Sequence, residues 1–151
     1  MFVLVSPPEF SEELQLICGL DEAQRRRFIA VVVADWLDRV APTDPGTAVS
    51  AEMSALLRDS EQLFRPENFA EWAEEADDVY LDCLDADESP KLVRPLFYRA
   101  RFASAVSVAG EAIADDRKLD EFLYEYSFSR EDVDIDAFYM AAYRSCCAPD
   151  V

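Results

Sequence analysis

DEAQRRRFIAVVVADWLDRV, the sequence of residues 21–40, has the spacing of a buried α-helix. Asp21 and Gln24 match a capping box, in which each of two side chains accepts a hydrogen bond from the other residue's backbone N–H. The larger apolar residues recur at every third or fourth position over a broad face, which predicts a helix packed into the core. They are Phe28, Ile29, Val32, Val33, Trp36, Leu37 and Val40. Pro42 and the turn at residues 44–46 end the helix.

The same spacing continues on both sides of this stretch and predicts further helices. Asn68 with Glu71 predicts one helix start and Ser129 with Asp132 another, while Pro95 predicts a break or a restart. The segments run from about 9 to 18, 47 to 64, 68 to 84, 89 to 95, 96 to 114 and 116 to 126, and a last helix buries apolar residues between 135 and 143.

The expected fold is all-α, an irregular antiparallel bundle of about six or seven helices. We expect a single acidic helical domain over residues 1–151, with residues 1–8 as an extended segment ended by two prolines. Residues 96–114 are rich in small side chains that permit close backbone approach, so this segment is expected to be the central helix of the bundle.

The composition supports a folded domain and indicates the compartment. With 51% hydrophobic residues among 151, the chain is too apolar for intrinsic disorder and long enough to bury a core. The first residues lack the basic region of a signal peptide, and no apolar run reaches the length of a membrane span. No CxxC spacing occurs, and Cys18 and Cys83 lie on apolar helix faces, which is typical of reduced thiols. We therefore expect a cytoplasmic protein.

The sequence offers little apparatus for catalysis. It contains no histidine, which removes the commonest general base and the commonest metal ligand. Neither GxxxxGK[ST] nor GxGxxG occurs, so no phosphate-binding or dinucleotide-binding signature is present. Residues 132–136 resemble the start of an EF-hand loop, but Ala137 replaces its turn glycine and Tyr143 its bidentate glutamate. We expect no enzyme, no cofactor and no metal site; a carboxylate-only metal hydrolase is the enzyme alternative.

The most informative charge pattern lies between residues 71 and 88, which hold nine acids and no base. At about 100° per residue, six of these acids fall within about 100° of arc on one helix face, opposite an apolar stripe. We call this face the acidic ridge: Glu71, Glu74, Glu75, Asp78, Asp82 and Asp85. The stripe is expected to be buried and comprises Phe69, Trp72, Ala73, Ala76, Tyr80, Cys83 and Leu84. The six like-charge pairs on the ridge destabilise the helix by about 1–3 kcal/mol in total.

Three interpretations of the ridge are open. Adaptation to a salt-rich cytoplasm explains the net charge of −18, but it does not explain a face without bases. Internal pairing would place residues 25–27, or Arg94, Arg99 and Arg101, against the ridge. A docking surface for a basic partner would use opposite charge to accelerate encounter and to select the partner. A second group would add acids and aromatic anchors to that surface: Asp120, Glu121, Tyr124, Glu125 and Tyr126.

These features predict a protein that works by binding. The leading hypothesis is an acidic, immunity-like or antitoxin-like inhibitor that docks on a basic toxin, nuclease or nucleic-acid-binding enzyme and blocks its site. The ridge carries roughly one charge per 4 Å of helix axis, close to the roughly 3.4 Å of a DNA strand, so a nucleic-acid mimic of the anti-restriction or anti-CRISPR type is an alternative. A helical adaptor or oligomeric scaffold is another, and a homodimer is compatible with the sequence. The negative charge argues against direct binding of nucleic acid or membranes.

Overall fold

The computed structural model describes residues 12–146, with side chains from residue 15 onward. This part of the chain is all-α, with eight α-helices and no strand, so the predicted fold class is confirmed. The helices are α1 (Glu12–Cys18), α2 (Glu22–Arg39), α3 (Ala51–Arg58), α4 (Ala70–Asp85), α5 (Pro90–Ser107), α6 (Ala109–Ala112), α7 (Asp116–Ser127) and α8 (Ile135–Cys146). Short 3-10 helices at Ala41–Thr43, Pro45–Thr47 and Pro66–Asn68 lie in the connections. The extended segment expected at residues 1–8 lies outside the described residues.

Helix α2 lies in the core, as its spacing predicts. The capping box is present: the Asp21 carboxylate accepts the Gln24 N–H at 2.8 Å, and the Gln24 side chain accepts the Asp21 N–H at 2.9 Å. All seven predicted apolar side chains are buried. Trp36 stacks on Phe102 of α5 with ring centroids 3.9 Å apart, and its indole N–H donates to the Ser129 carbonyl at 3.0 Å. One ring therefore ties α2 to α5 and to the loop before α8.

Helix α5 packs between α4 and α7, the central position expected for the segment rich in small residues. Ala100 and Ala103 are fully buried and pack with Ala76 of α4. The break expected at Pro95 was wrong, because this proline lies inside a continuous helix and is buried. It packs so closely on Gly46 that a Cβ there would stand 2.6 Å from the proline Cβ. This contact holds the ring in place despite the hydrogen bond that a proline removes from a helix.

Two predicted helices are shorter in the structure. Helix α3 begins after Ser50, whose hydroxyl accepts the Met53 N–H at 3.1 Å, and it does not extend from 47 to 64. It ends at Asp59, whose carboxylate accepts the Glu61 N–H at 2.8 Å, because a short polar side chain bonded to its own backbone competes with helix propagation. The central segment also ends early, and Gly110 then approaches the Phe64 carbonyl where no side chain would fit.

Two predicted caps were wrong. Asn68 does not cap α4; its side-chain amide donates to the Gln62 carbonyl at 3.0 Å, and α4 begins after Phe69 without a side-chain cap. Ser129 donates its hydroxyl to the Tyr126 carbonyl at 2.7 Å instead of capping the last helix. That role falls to Asp134, whose carboxylate accepts the Ala137 N–H at 3.2 Å. In both cases the polar side chain donates a hydrogen bond to a backbone carbonyl earlier in the sequence, instead of accepting one from the predicted helix N-terminus.

The buried side chains form one large cluster and one small cluster between α4 and α5. The buried members of the large cluster come from every described helix except α4, whose half-buried Trp72 packs against it and whose buried Ala76 belongs to the small cluster. Within residues 12–146, no helix combines the length and the apolarity needed to cross a membrane. Helix α4 is thus attached to the body of the protein mainly through α5, and its opposite face is left to solvent.

Candidate acidic docking surface

The acidic ridge forms the outer face of α4. All six of its carboxylate side chains are exposed. The opposite face holds the helix in place through Phe69 and Ala76, both buried, and through Trp72, which meets Phe102 edge-on with centroids 6.2 Å apart. A continuous helix over Ala70–Asp85 therefore presents the six acids as one row, about 21 Å long at 1.5 Å per residue.

The chain's own cations do not cover the ridge. None of the ion pairs formed among residues 12–146 includes a ridge carboxylate. In the first arginine cluster, Arg25 bonds Asp116 at 2.6 Å, Arg26 lies over the Phe64 ring, and Arg27 donates to the Cys146 carbonyl at 3.4 Å. Internal pairing of the ridge with these arginines was therefore a wrong alternative.

Two arginines of the second cluster are also directed elsewhere, and Arg99 forms no ion pair with another described residue. Arg94 lies 3.8 Å from Glu131. Arg101 donates to Asp77 at 2.9 Å and to Glu125 at 2.7 Å, which links α4, α5 and α7. Asp77 belongs to the nine acids of residues 71–88 but lies at the side of α4, outside the ridge. Arg101 thus neutralises the edge of α4 nearest the core and leaves the outer row uncompensated.

The second predicted group is divided by the structure. Glu125 is only 20% exposed at its side chain and is held by Arg101; burial raises its pKa, and the guanidinium opposes that shift. Asp120 is half-buried and accepts the Cys18 thiol at 3.5 Å, and burial raises the pKa of this carboxyl too. Tyr126 is fully buried, with its hydroxyl donating to the Val32 carbonyl at 3.3 Å. These three residues serve the interior of the protein, and we leave them out of the docking surface.

Glu121 and Tyr124 remain on the surface. Glu121 lies 3.4 Å from Lys118 across one turn of α7. Tyr124 is 51% exposed and meets Phe128, also exposed, edge-on with centroids 5.0 Å apart. Since Arg101 joins α7 to α4, these aromatic rings belong to the same connected group of helices as the ridge.

The apolar stripe of α4 is buried over only part of its length. Tyr80 and Cys83 are half-buried and Leu84 is 49% exposed, contrary to the expectation that the whole stripe lies in the core. Leu81, beside the ridge, is 45% exposed. None of residues 81–94 is buried, so the end of the α4–α5 hairpin extends past the core that covers its base. Helical periodicity shows which face is apolar, but it carries no signal for where the covering helices stop.

Sequence reasoning also missed a buried cation, Arg130. Its side chain is 0% exposed and donates to Asp132 at 2.7 Å, to Asp35 at 2.6 Å and to the Tyr126 hydroxyl at 3.0 Å. The guanidinium also lies 4.9 Å from the centre of the Phe138 ring. In the sequence Arg130 precedes an acid-rich linker and has no apolar periodicity, so no local signal marks it as buried.

The Arg130 cluster forms the polar wall of an open groove of about 780 Å³ between α2 and α8. Its floor is made of small or apolar side chains such as Val31, Ala34 and Ala141. The charged side chains that line the groove are all paired: Asp35 and Asp132 with Arg130, Arg39 with Asp35, and Asp38 with Arg58. The arrangement stabilises the loop before α8.

Cys18 lies in an environment that disfavours its thiolate. The thiols of Cys18 and Cys83 are free and half-buried. Burial raises the pKa of Cys18 to about 11, and the adjacent Asp120 carboxylate adds to the shift. At neutral pH the group is therefore the protonated thiol, which is a poor nucleophile.

Comparison with known proteins gives no family assignment. No protein-family model matches the chain, and no curated protein or solved structure shows significant similarity to it. The protein's own surface is therefore the basis for inferring its function.

Proposed function

We propose that this protein is a cytoplasmic, acidic inhibitor of the immunity or antitoxin type, which acts by binding. The ridge would dock on a basic toxin, nuclease or nucleic-acid-binding enzyme and occlude its functional site. The observation that carries the proposal is the row of six exposed ridge carboxylates, none of which takes part in an ion pair with any other described residue.

A row of like charges on one helix face destabilises the folded protein. Its like-charge pairs destabilise the helix by about 1–3 kcal/mol, against a typical domain stability of about 5–15 kcal/mol. A solvent-exposed helix face without a binding role would carry lysines between the acids, and these would lower the cost. A cationic partner removes the repulsion when it binds, and opposite charge also raises the association rate.

The buried chemistry agrees with a binding role. Asp120 and Glu125 serve internal contacts, and Asp132 is bonded to Arg130. The exposed aromatic pair Tyr124 and Phe128 would supply apolar contact area that charge alone lacks.

Mimicry of a nucleic acid is the second candidate, and one observation favours it. The ridge lies on a single uninterrupted helix, so its spacing of roughly one charge per 4 Å is kept along the whole row. A mimic, like any inhibitor that occludes a nuclease cleft, would compete with DNA or RNA for the partner, whereas an inhibitor that occludes the site of a toxin acting on another substrate would leave the binding of nucleic acid unchanged. Competition binding with a labelled duplex therefore separates these two cases once a partner is in hand.

The test is affinity capture from the native cell extract at low salt, with two charge-reversal variants. The ridge variant carries Glu74→Lys, Asp78→Lys and Asp82→Lys. The control variant carries Glu52→Lys, Glu61→Lys and Glu67→Lys, which are exposed acids outside the ridge and give the same change in net charge.

A basic protein that wild type and control retain and the ridge variant loses would support the proposal. With that protein purified, the ridge variant should associate more slowly, and the difference from wild type should shrink as salt screens the charges. Equal retention by both variants would remove the ridge from the docking surface. Where a partner is captured, its activity is measured with and without this protein. Loss of that activity would identify an inhibitor, and unchanged activity would identify an adaptor.

A further inference from the structure

At the end of the α4–α5 hairpin, α4 carries two exposed leucines within the acidic surface, and Leu92 on α5 is a third exposed leucine of the hairpin. Leu81 is 45% and Leu84 is 49% exposed. They lie three residues apart on α4, so they are neighbours on the helix surface, with Cβ atoms about 5–6 Å apart. We call them the leucine pair. No described residue between 81 and 94 is buried, so the pair lies beyond the part of the hairpin that the core covers.

Acids surround the leucine pair. The positions three and four residues from Leu81 on the helix are Asp77, Asp78, Asp85 and Leu84 itself. Past Leu84 the chain continues to residues 87 and 88, both acidic. The pair is thus an apolar spot beside the ridge, with Asp77 about one turn before it on the same side of α4.

This setting determines which occupant fits. A second copy of the chain would bring the same carboxylates against these, and an anionic membrane surface would meet the same repulsion. A neutral apolar surface would bury the neighbouring carboxylates without partners, which is costly. A favourable occupant must offer apolar side chains to the leucines and cations to the acids around them.

We propose that the leucine pair receives the apolar face of a basic amphipathic helix of a partner protein, with the flanking lysines or arginines of that helix paired to Asp78, Asp82 and Asp85. This inference rests on the proposed docking function and names the partner's chemistry. Charge would bring the two surfaces together, and the leucines would provide the buried anchor that slows dissociation.

The test uses two synthetic peptides of 18 residues (about 27 Å as helices) with identical numbers of leucine and lysine. One order places all leucines on one helical face, and the other distributes them around the helix. Binding to the full chain is measured by isothermal titration at low salt. The protein variant is Leu81→Ser with Leu84→Ser, and Leu84→Gln alone is a milder second variant. The matched control is Leu16→Ser, which changes a leucine of similar exposure, 50%, on α1.

We expect wild type to bind the amphipathic peptide more tightly than the scrambled one. The double variant should lose about tenfold in affinity for the amphipathic peptide, because each half-exposed leucine would bury its remaining surface on binding. Its affinity for the scrambled peptide should stay unchanged, and Leu16→Ser should behave as wild type with both. Circular dichroism checks that each variant keeps the helical content of wild type.

Three other outcomes would overturn the inference, and they differ in what they leave standing. Equal affinity for both peptides, unchanged by the leucine substitutions, would mean that charge alone drives docking, and the proposed function would survive. Binding of neither peptide at low salt would overturn the proposed function as well. Self-association of wild type that the double variant abolishes would assign the leucine pair to a contact between two copies of this chain.

Discussion

The ridge can be tested through stability alone, without a known partner, by reversing Glu74, Asp78 and Asp82 to lysine. Because all three side chains are exposed and form no ion pair with the rest of the described chain, the substitutions remove no favourable contact. They turn the like-charge pairs 71–74, 75–78 and 82–85 into attractive ones and leave three repulsive pairs in place. We therefore expect a variant that is more stable than wild type and less able to bind a basic partner.

The magnitude follows from the number of inverted pairs. Each inversion is worth about twice 0.2–0.5 kcal/mol, so three of them stabilise the helix by about 1–3 kcal/mol. Lysine at position 82 also lies in the last turn of α4, where the helix dipole favours a cation. For a chain of this length the gain corresponds to a rise in Tm of about 3–10 °C.

The assay is urea denaturation followed by far-UV circular dichroism, at low salt and in about 1 M NaCl, where the Debye length falls to about 3 Å. The control with lysine at 52, 61 and 67 has the same net charge, so it corrects for the general relief of self-repulsion. The ridge variant should exceed this control at low salt, and the excess should shrink at high salt. If the two variants have equal free energies of unfolding at low salt, the ridge carries no local repulsion and the reasoning fails.

Three further predictions concern the interior. Arg130→Met should lower the free energy of unfolding by about 2–4 kcal/mol, because it removes a fully buried guanidinium and leaves its hydrogen-bond partners unpaired. The exposed control Arg39→Met should lower it by under about 1 kcal/mol. Urea denaturation measures both variants, and equal losses would contradict the prediction. Hydrogen bonds from Arg130 lower the pKa of Asp132 in the folded protein. The stability that the Asp132 carboxylate contributes is therefore present above its unfolded-state pKa of about 3.9 and is lost as the pH falls through the lower folded-state pKa. Asp132→Asn should accordingly weaken the fall in the free energy of unfolding at acid pH. The Cys18 thiol, whose pKa is raised to about 11, should react slowly with iodoacetamide at neutral pH, as followed by peptide mapping. Asp120→Asn should speed the reaction. An unchanged rate would show that the carboxylate does not act on the thiol.

The proposed docking surface and the stability of the fold are linked through Arg101. This arginine bonds Asp77 at the edge of α4 and Glu125 of α7, so it fixes the direction in which the ridge faces while neutralising only the acids next to the core. The acidic ridge is thus attached to the body of the protein by one cation placed behind it.

Much of the fold could be read from local pattern. The capping box at Asp21 and the apolar spacing up to Val40 describe α2 correctly, because capping and amphipathic periodicity are interactions between residues close in sequence. The same periodicity places the ridge on the outer face of α4. The end of α3 and the course of α5 were not predicted. At Asp59 a side chain bonded to its own backbone ends the helix, and at Pro95 a contact with the distant Gly46 accompanies a proline inside a continuous helix.

The sequence by itself determined that this protein is all-helical and that one helix face carries acids without bases, since both follow from the order of neighbouring residues. Only the tertiary structure decided that Arg101 and Arg25 turn to other acids, that Glu125 is held internally, and that Leu84 is left in water. Those outcomes depend on which distant side chains meet and on where a covering helix ends. Distances between residues far apart in sequence set them, and no local pattern contains that information.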